Sequence, residues 1–196
     1  MPSREEKKAA TRKKLLDAAA VLVARDGAMA TTLDAIAERA GLTKGAVYSN
    51  FSSKEDLLFA LAEAAELPHV GLEDFFDPQQ SLADNFERLG QALAAELASV
   101  SQRSWQLGLE LEHFAQRNPR ARRRLAAEQR QGRQEGAHLW EALAASRGEQ
   151  LPLPAEQLDV VVGALALGLA QKAAIDRSAV PDDLFAKAFR LLAGPA

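Results

Sequence analysis

Two of the three histidines carry a glutamate three residues before them, in Glu110-x-x-His113 and Glu135-x-x-His138. That is the spacing with which helical bundles hold a pair of iron or manganese ions. A second stretch could do different chemistry. Residues 41–51 read GLTKGAVYSNF, small and polar between two runs of helical period. Thr43 stands where a short helix would begin, and the free N–H groups at a helix N-terminus favour an anion. Lys44 beside it can reach base edges, guanine best. Tyr48, Asn50 and Lys54 are donors suited to phosphates. Gly45 inside a helix costs about 1 kcal/mol relative to Ala, and close approach by another surface, here a phosphate backbone, would offset that.

Helices must position these groups, and no strand is expected. Leu15, Ala18, Ala19 and Leu22 recur at helical spacing and predict a first helix over about 9–26, ended by Gly27. Thr31 or Thr32 caps a second helix, which runs to about Ala40 and is stopped by Gly41. Thr43 caps a third, ending near Asn50, and Ser52 with Glu55 forms a capping box for a fourth over about 54–66. Ile36, Leu42 and Val47 face the core, with Ala37 small where the second and third helices cross. A glycine turn between two short helices is the mark of a helix-turn-helix, although a plain helical hairpin would carry the same turn.

Pro68, Gly71 and Pro78 interrupt the periodicity and set a boundary. Five further helices follow, over about 81–100, 103–117, 119–146, 156–176 and 181–193, so the chain reads as all-α with about nine helices. The expected domains are an N-terminal DNA-binding unit over 1–66 with its motif at about 32–51, a linker over 67–80, and a helical bundle over 81–196. On the seventh helix the apolar stripe is Leu125, Leu139 and Leu143. At 100° per residue His138 falls about 140° from that stripe's centre, which argues against an inward metal ligand. No nucleophile arrangement or phosphate-cradling glycine loop is present, so the chain is not read as an enzyme and no cofactor is expected.

The segment Thr32 to Leu58, TLDAIAERAGLTKGAVYSNFSSKEDLL, resembles the DNA-binding segment of the tetracycline-repressor (TetR) family. The family's pattern is met at Thr32, Ile36, Ala37, Ala40, Gly41, Thr43, Gly45, Tyr48, Phe51 and Lys54, with Asn50 where the family often has His. The motif resemblance covers about residues 9–66. It implies a homodimer on a near-palindromic operator in double-stranded DNA. Thr43, Lys44 and Ala46 are expected to face the groove, Gly45 to allow close approach of the backbone, and Thr32, Tyr48, Asn50 and Lys54 to hold phosphates. It also implies a bundle that surrounds a small-molecule pocket and releases DNA when filled. Repression is the family's usual action.

Composition fits. The 196 residues are 47% hydrophobic and 26% charged, with no cysteine, and their net charge is −3. Residues 1–14 hold six Lys/Arg against two Asp/Glu, a basic edge on an acidic chain. The N-terminus is too polar for a signal peptide, and the uncharged apolar run 160–170 is too short to span a bilayer. A cytoplasmic protein without a membrane partner is expected. That run is apolar on all sides and must be covered on all sides. With the ninth helix it forms the expected dimer interface, through Val161, Leu165, Gly168, Leu169, Phe185 and Phe189, unless it is a central helix buried in a monomer. Phe86, Trp105, Leu109, Glu110, His113 and Trp140 are the candidates for an apolar ligand pocket with a few polar groups. Two other readings are a helical small-molecule-binding protein without DNA binding and the di-metal enzyme using Glu110/His113 and Glu135/His138.

Overall fold

The computed structural model describes residues 3–64 and 75–194, and every regular element among them is helical. The helices are α1 (Arg4–Ala30), α2 (Leu33–Arg39), α3 (Lys44–Tyr48), α4 (Lys54–Ala64), α5 (Leu82–Ser99), α6 (Gln102–Arg117), α7 (Pro119–Arg147), α8 (Ala155–Ile175) and α9 (Leu184–Leu192), with a 3-10 turn at Arg177–Ala179. They group into two compact units. One is Met1–Leu67 with Val100–Ala126; the other is Pro68–Ser99 with Ala127–Ala196. The expected division follows the chain, whereas the packing places α6 and the first two turns of α7 with α1–α4. The expected linker lies outside the described residues over 67–74, as do the last two residues expected of the fourth helix.

In the first unit, α1 starts five residues earlier than its apolar stripe suggested. Ser3 and Glu6 form a reciprocal capping box that extends it into the basic N-terminus. Gly27 does interrupt the helix, at φ 83°, and a kinked turn carries on to Ala30. Thr32, rather than Thr31, caps α2 by accepting the Ala35 N–H at 3.1 Å. Thr31 is buried, and its hydroxyl donates to the Gly27 carbonyl. The cap of α4 is Ser53, which accepts the Asp56 N–H, while the Ser52 hydroxyl turns to the Asp56 carboxylate. The expected box of Ser52 and Glu55 is therefore shifted by one residue. Leu15, Ala19, Ile36, Val47, Leu57 and Leu58 form the core with Leu107, Leu111 and Phe114 from α6.

In the second unit, α5 packs along α9. A Cβ on Gly90 would lie 2.6 Å from the Phe185 carbonyl oxygen, so only glycine permits this approach. Phe185 and Phe189 are buried against the chain's own core. This corrects the expectation that they line a dimer interface. Periodicity shows that a helix face is apolar, not which neighbour covers it. The helix starts at Leu184, three residues later than expected, because Val180 is buried and Pro181 opens a turn whose carbonyl accepts the Leu184 N–H. Phe86 stacks on Trp140 with ring centroids 4.9 Å apart, and Phe76 meets the same indole at 4.8 Å.

Helix α8 buries Leu158, Val162, Ala166 and Ala170, a stripe of spacing four. Its opposite side leaves Val160, Gly163, Ala164, Leu167 and Gly168 exposed, at i, i+3, i+4, i+7 and i+8. By length and composition α8 could also cross a membrane.

Candidate nucleic-acid interface

The α2–α3 pair is fixed by residues that the sequence placed correctly. Gly41 sits at φ 66°, a left-handed conformation that an L side chain rarely adopts. Its N–H reaches the Glu38 carbonyl at 3.0 Å and the next N–H, of Leu42, reaches the Ala37 carbonyl at 2.9 Å. These bonds satisfy the end of α2 and turn the chain sharply. Thr43 then caps α3 by accepting the Ala46 N–H at 3.2 Å. Ile36, Ala37, Val47 and Phe51 are buried beneath, and Leu42 is half-buried.

Among the residues expected to meet DNA, Thr32, Thr43, Lys44, Gly45 and Tyr48 are exposed, Tyr48 by 59%. Ala46 is half-buried at the margin. Both threonine caps use an oxygen lone pair inward, which leaves the hydroxyl hydrogen free for a phosphate. A Cβ on Gly45 would meet nothing closer than Thr43 Oγ1 at 3.8 Å. Nothing within the chain therefore requires glycine there. The Lys44 ammonium is bound to the Asp34 carboxylate at 2.6 Å. That hydrogen bond and the aspartate's charge hold the lysine above its ordinary pKa. Asp34 was not singled out from sequence, because a partner ten residues away on another helix leaves no periodic signal.

Asn50 departs from its expected role. Its amide donates to the Ala46 carbonyl at 2.8 Å, closing the end of α3 instead of pointing outward. Arg12 of α1 donates to the Asn50 carbonyl at 3.4 Å and lies 4.5 Å over the Phe51 ring. The basic first helix is thus attached to the end of the motif. Lys54 is half-buried. It donates to the Met29 carbonyl at 2.9 Å and sits 5.2 Å over the Phe114 ring. Desolvation lowers its pKa, and its ammonium has two further donors to offer.

Known proteins are similar to this chain in its N-terminal sequence and in its fold. Residues 15–61 match the family model of bacterial regulatory proteins, tetR family. The match covers the N-terminal helices, about a quarter of the chain. It is 35% identical over 83 residues to the HTH-type transcriptional regulator SrpR of Pseudomonas putida, an alignment that spans 42% of this chain and only 38% of SrpR. Over nearly its whole length the fold is similar to NalD, the secondary repressor of the MexAB-OprM multidrug efflux pump in Pseudomonas aeruginosa. The identity is 26% and the TM-score 0.65, with 95% of this chain and 94% of NalD covered. Salmonella enterica GusR shares the fold at 21% identity and a TM-score of 0.69, with 95% and 96% covered.

The other positions that the sequence singled out fall as follows. On α6, Trp105 is half-buried, while Leu109 and His113 are exposed. Glu110 Oε2 accepts the Ala28 N–H at 2.7 Å, beside the kink at Gly27, so this carboxylate is engaged in fixing α1. Leu109 and Glu110 border a cleft of about 370 Å³ with Val23, Gly27 and Leu107. Phe86 and Trp140 are fully buried in the second unit. Glu135 accepts from Gln131, and His138 is exposed, 3.8 Å from Glu141. The two Glu-x-x-His pairs thus spend their groups on helix contacts and solvent. Among the possible dimer residues Gly168 lies on the open face of α8, and Val161, Leu165 and Leu169 lie half-buried at its edge.

Proposed function

We propose that this chain is a TetR-family protein, a sequence-specific DNA-binding transcriptional regulator that acts as a repressor in the cytoplasm. The observation that carries the reading is the division of residues 32–51. Ile36, Ala37, Val47 and Phe51 are buried, and Thr32, Thr43, Lys44, Gly45 and Tyr48 are left outside around a glycine turn. In this reading α3 enters the major groove. Thr43 and Lys44 meet base edges, and Thr32, Tyr48 and Lys54 hold phosphates. Repression is the action named for NalD.

The protein works as a homodimer on a near-palindromic operator, the two α3 helices spaced by about 34 Å or a multiple. The exposed stripe Val160, Gly163, Ala164, Leu167 and Gly168 supports this. It is apolar, continuous along about two and a half turns, and its glycines would meet nothing of their own chain if they carried a Cβ. A second copy of α8 fits such a face. A small molecule bound by the helices beyond the motif would tilt the recognition helices and release DNA. Fluorescence anisotropy on a duplex selected from random sequence tests the DNA reading. Strong preference over a scrambled duplex, falling steeply with salt, is expected; equal feeble binding to both would overturn it.

A further inference from the structure

The corner where α6 meets α7 is the most strongly basic stretch outside the N-terminus. Residues 113–127 hold five arginines and no acidic residue. The unit that contains this corner has sixteen Lys/Arg against twelve Asp/Glu, whereas the other unit has eight against fifteen. The positive charge of the chain is thus gathered on the unit that carries the helix-turn-helix.

The corner is fastened to the start of α4. Asn118 donates to Glu55 at 2.8 Å and caps α7 by accepting the Arg120 and Ala121 N–H groups. Arg124 pairs with Asp56 at 3.2 Å and Glu63 at 3.4 Å and lies 4.1 Å over the Phe59 ring. The charge of Arg120 acts on Glu55. The acidic groups of α4 are therefore matched by Asn118, Arg120 and Arg124, and the remaining arginines are in surplus. Arg117, Arg122 and Arg123 are exposed, and no ion pair is seen at them among the described residues. Arg117 follows Phe114, whose ring carries the Lys54 ammonium, by three residues, about 4.5 Å along the axis.

We propose that Arg117, Arg122 and Arg123 form a second DNA contact that grips phosphates outside the groove segment read by α3. The proposal rests on the DNA-binding reading above, but its residues lie on helices outside the motif. Three fork-shaped, permanently charged guanidiniums on a rigid corner suit phosphate oxygens. They carry no base information, so they add affinity and salt dependence without sequence preference.

The test compares the full chain with the triple variant Arg117→Gln, Arg122→Gln, Arg123→Gln on a duplex selected from random sequence and on a scrambled duplex. Anisotropy is read across a salt series. Each phosphate contact contributes about 0.9 to the slope of log affinity against log salt, so the variant's slope should be shallower by about 2 to 3. Its ratio of selected to scrambled affinity should be unchanged, and Arg130→Gln on the far part of α7 should match the unaltered chain. A triple-variant slope equal to that of the unaltered chain would overturn the proposal. Lys44→Ala in parallel keeps the two readings apart. If it abolishes the preference while the triple variant leaves the slope alone, the groove reading stands and the corner falls. If it leaves the preference intact while the triple variant flattens the slope, the corner stands and the assignment of Lys44 falls.

Discussion

The Lys44 ammonium is held 2.6 Å from the Asp34 carboxylate, at the surface that the helix-turn-helix presents outward. Both side chains are more than half exposed, so water screens the pair and it exchanges readily. To reach a base, Lys44 must leave Asp34, and Asp34 must stay near phosphates without a partner. Asp34→Asn should therefore raise affinity for the selected duplex several-fold at low salt, with the gain shrinking as salt screens it. Titration of the two proteins at low and high salt checks this; weaker binding by Asp34→Asn would show that the pair itself positions Lys44.

Removing Lys44 altogether should act differently. Lys44→Ala is expected to cut the preference for the selected duplex about tenfold to a hundredfold, the range for one base contact. Binding to the scrambled duplex should fall much less. A uniform loss on both duplexes would make Lys44 a phosphate contact instead.

The kink before the motif rests on Gly27 and Glu110. Gly27 has φ 83° and ψ 157°, a region open almost only to glycine, and a Cβ there would also crowd Glu110 Oε2 at 3.2 Å. Gly27→Ala should cost about 1–3 kcal/mol from backbone strain. Glu110→Ala should cost about 1–3 kcal/mol by leaving the Ala28 N–H without its acceptor, and Glu110→Gln, which keeps an acceptor oxygen, should cost less. Urea denaturation reads all three; Glu110→Gln as destabilising as Glu110→Ala would contradict the assigned contact.

Most of the motif was legible in the sequence because its determinants are local. A threonine cap, a left-handed glycine and an apolar period each act within four residues, so Gly41, Thr43 and Val47 could be placed, and the cap of α2 narrowed to Thr31 or Thr32. Ser3 and Glu6 were equally local but were passed over, because the apolar stripe of α1 begins only at Leu15. What the sequence hid were choices between distant partners. Glu110 looked free for a ligand until the fold brought Ala28 to it. Asn50 looked free for a phosphate, yet Ala46 lies one turn away. Five arginines in 113–127 were visible as residues but gained meaning only once Asn118 and Arg124 fastened that corner to α4.

The two sides of the apolar α8–α9 pair should respond differently to the same change. Leu167→Glu puts a charge on the exposed stripe of α8 and should give a folded monomer sedimenting near 21.1 kDa. Phe189→Glu buries a charge in the chain's own core, where a lone charge is costly, and should unfold the second unit. A Leu167→Glu protein that still sediments at twice the chain mass would move the interface elsewhere.

Asp159 on α8 gives a pH signature. Its carboxylate oxygen occupies the space where Gly136 of α7 would carry a Cβ. Burial raises its pKa; the Trp140 indole, whose N–H makes no hydrogen bond of normal geometry, and Arg133 oppose this only in part. A carboxylate raised in the folded state binds its proton more tightly there, so its contribution to stability is present at low pH and is lost as pH rises through the raised value. Asp159→Asn should therefore stabilise the protein at neutral pH, and the difference from the unaltered chain should narrow in acid. Thermal melting at both pH values reads this; equal melting shifts would remove Asp159 as the cause.

The central claim is that α3 reads DNA sequence. Its most direct test is the anisotropy of the purified chain on a duplex selected from random sequence and on its scrambled counterpart, at about 50 and about 200 mM salt. The expected result is tight binding to the selected duplex, a large preference over the scramble, and a fall in affinity of several orders of magnitude between the two salt concentrations. Failure of the selection to enrich any sequence, with equal weak binding to both duplexes, would contradict it.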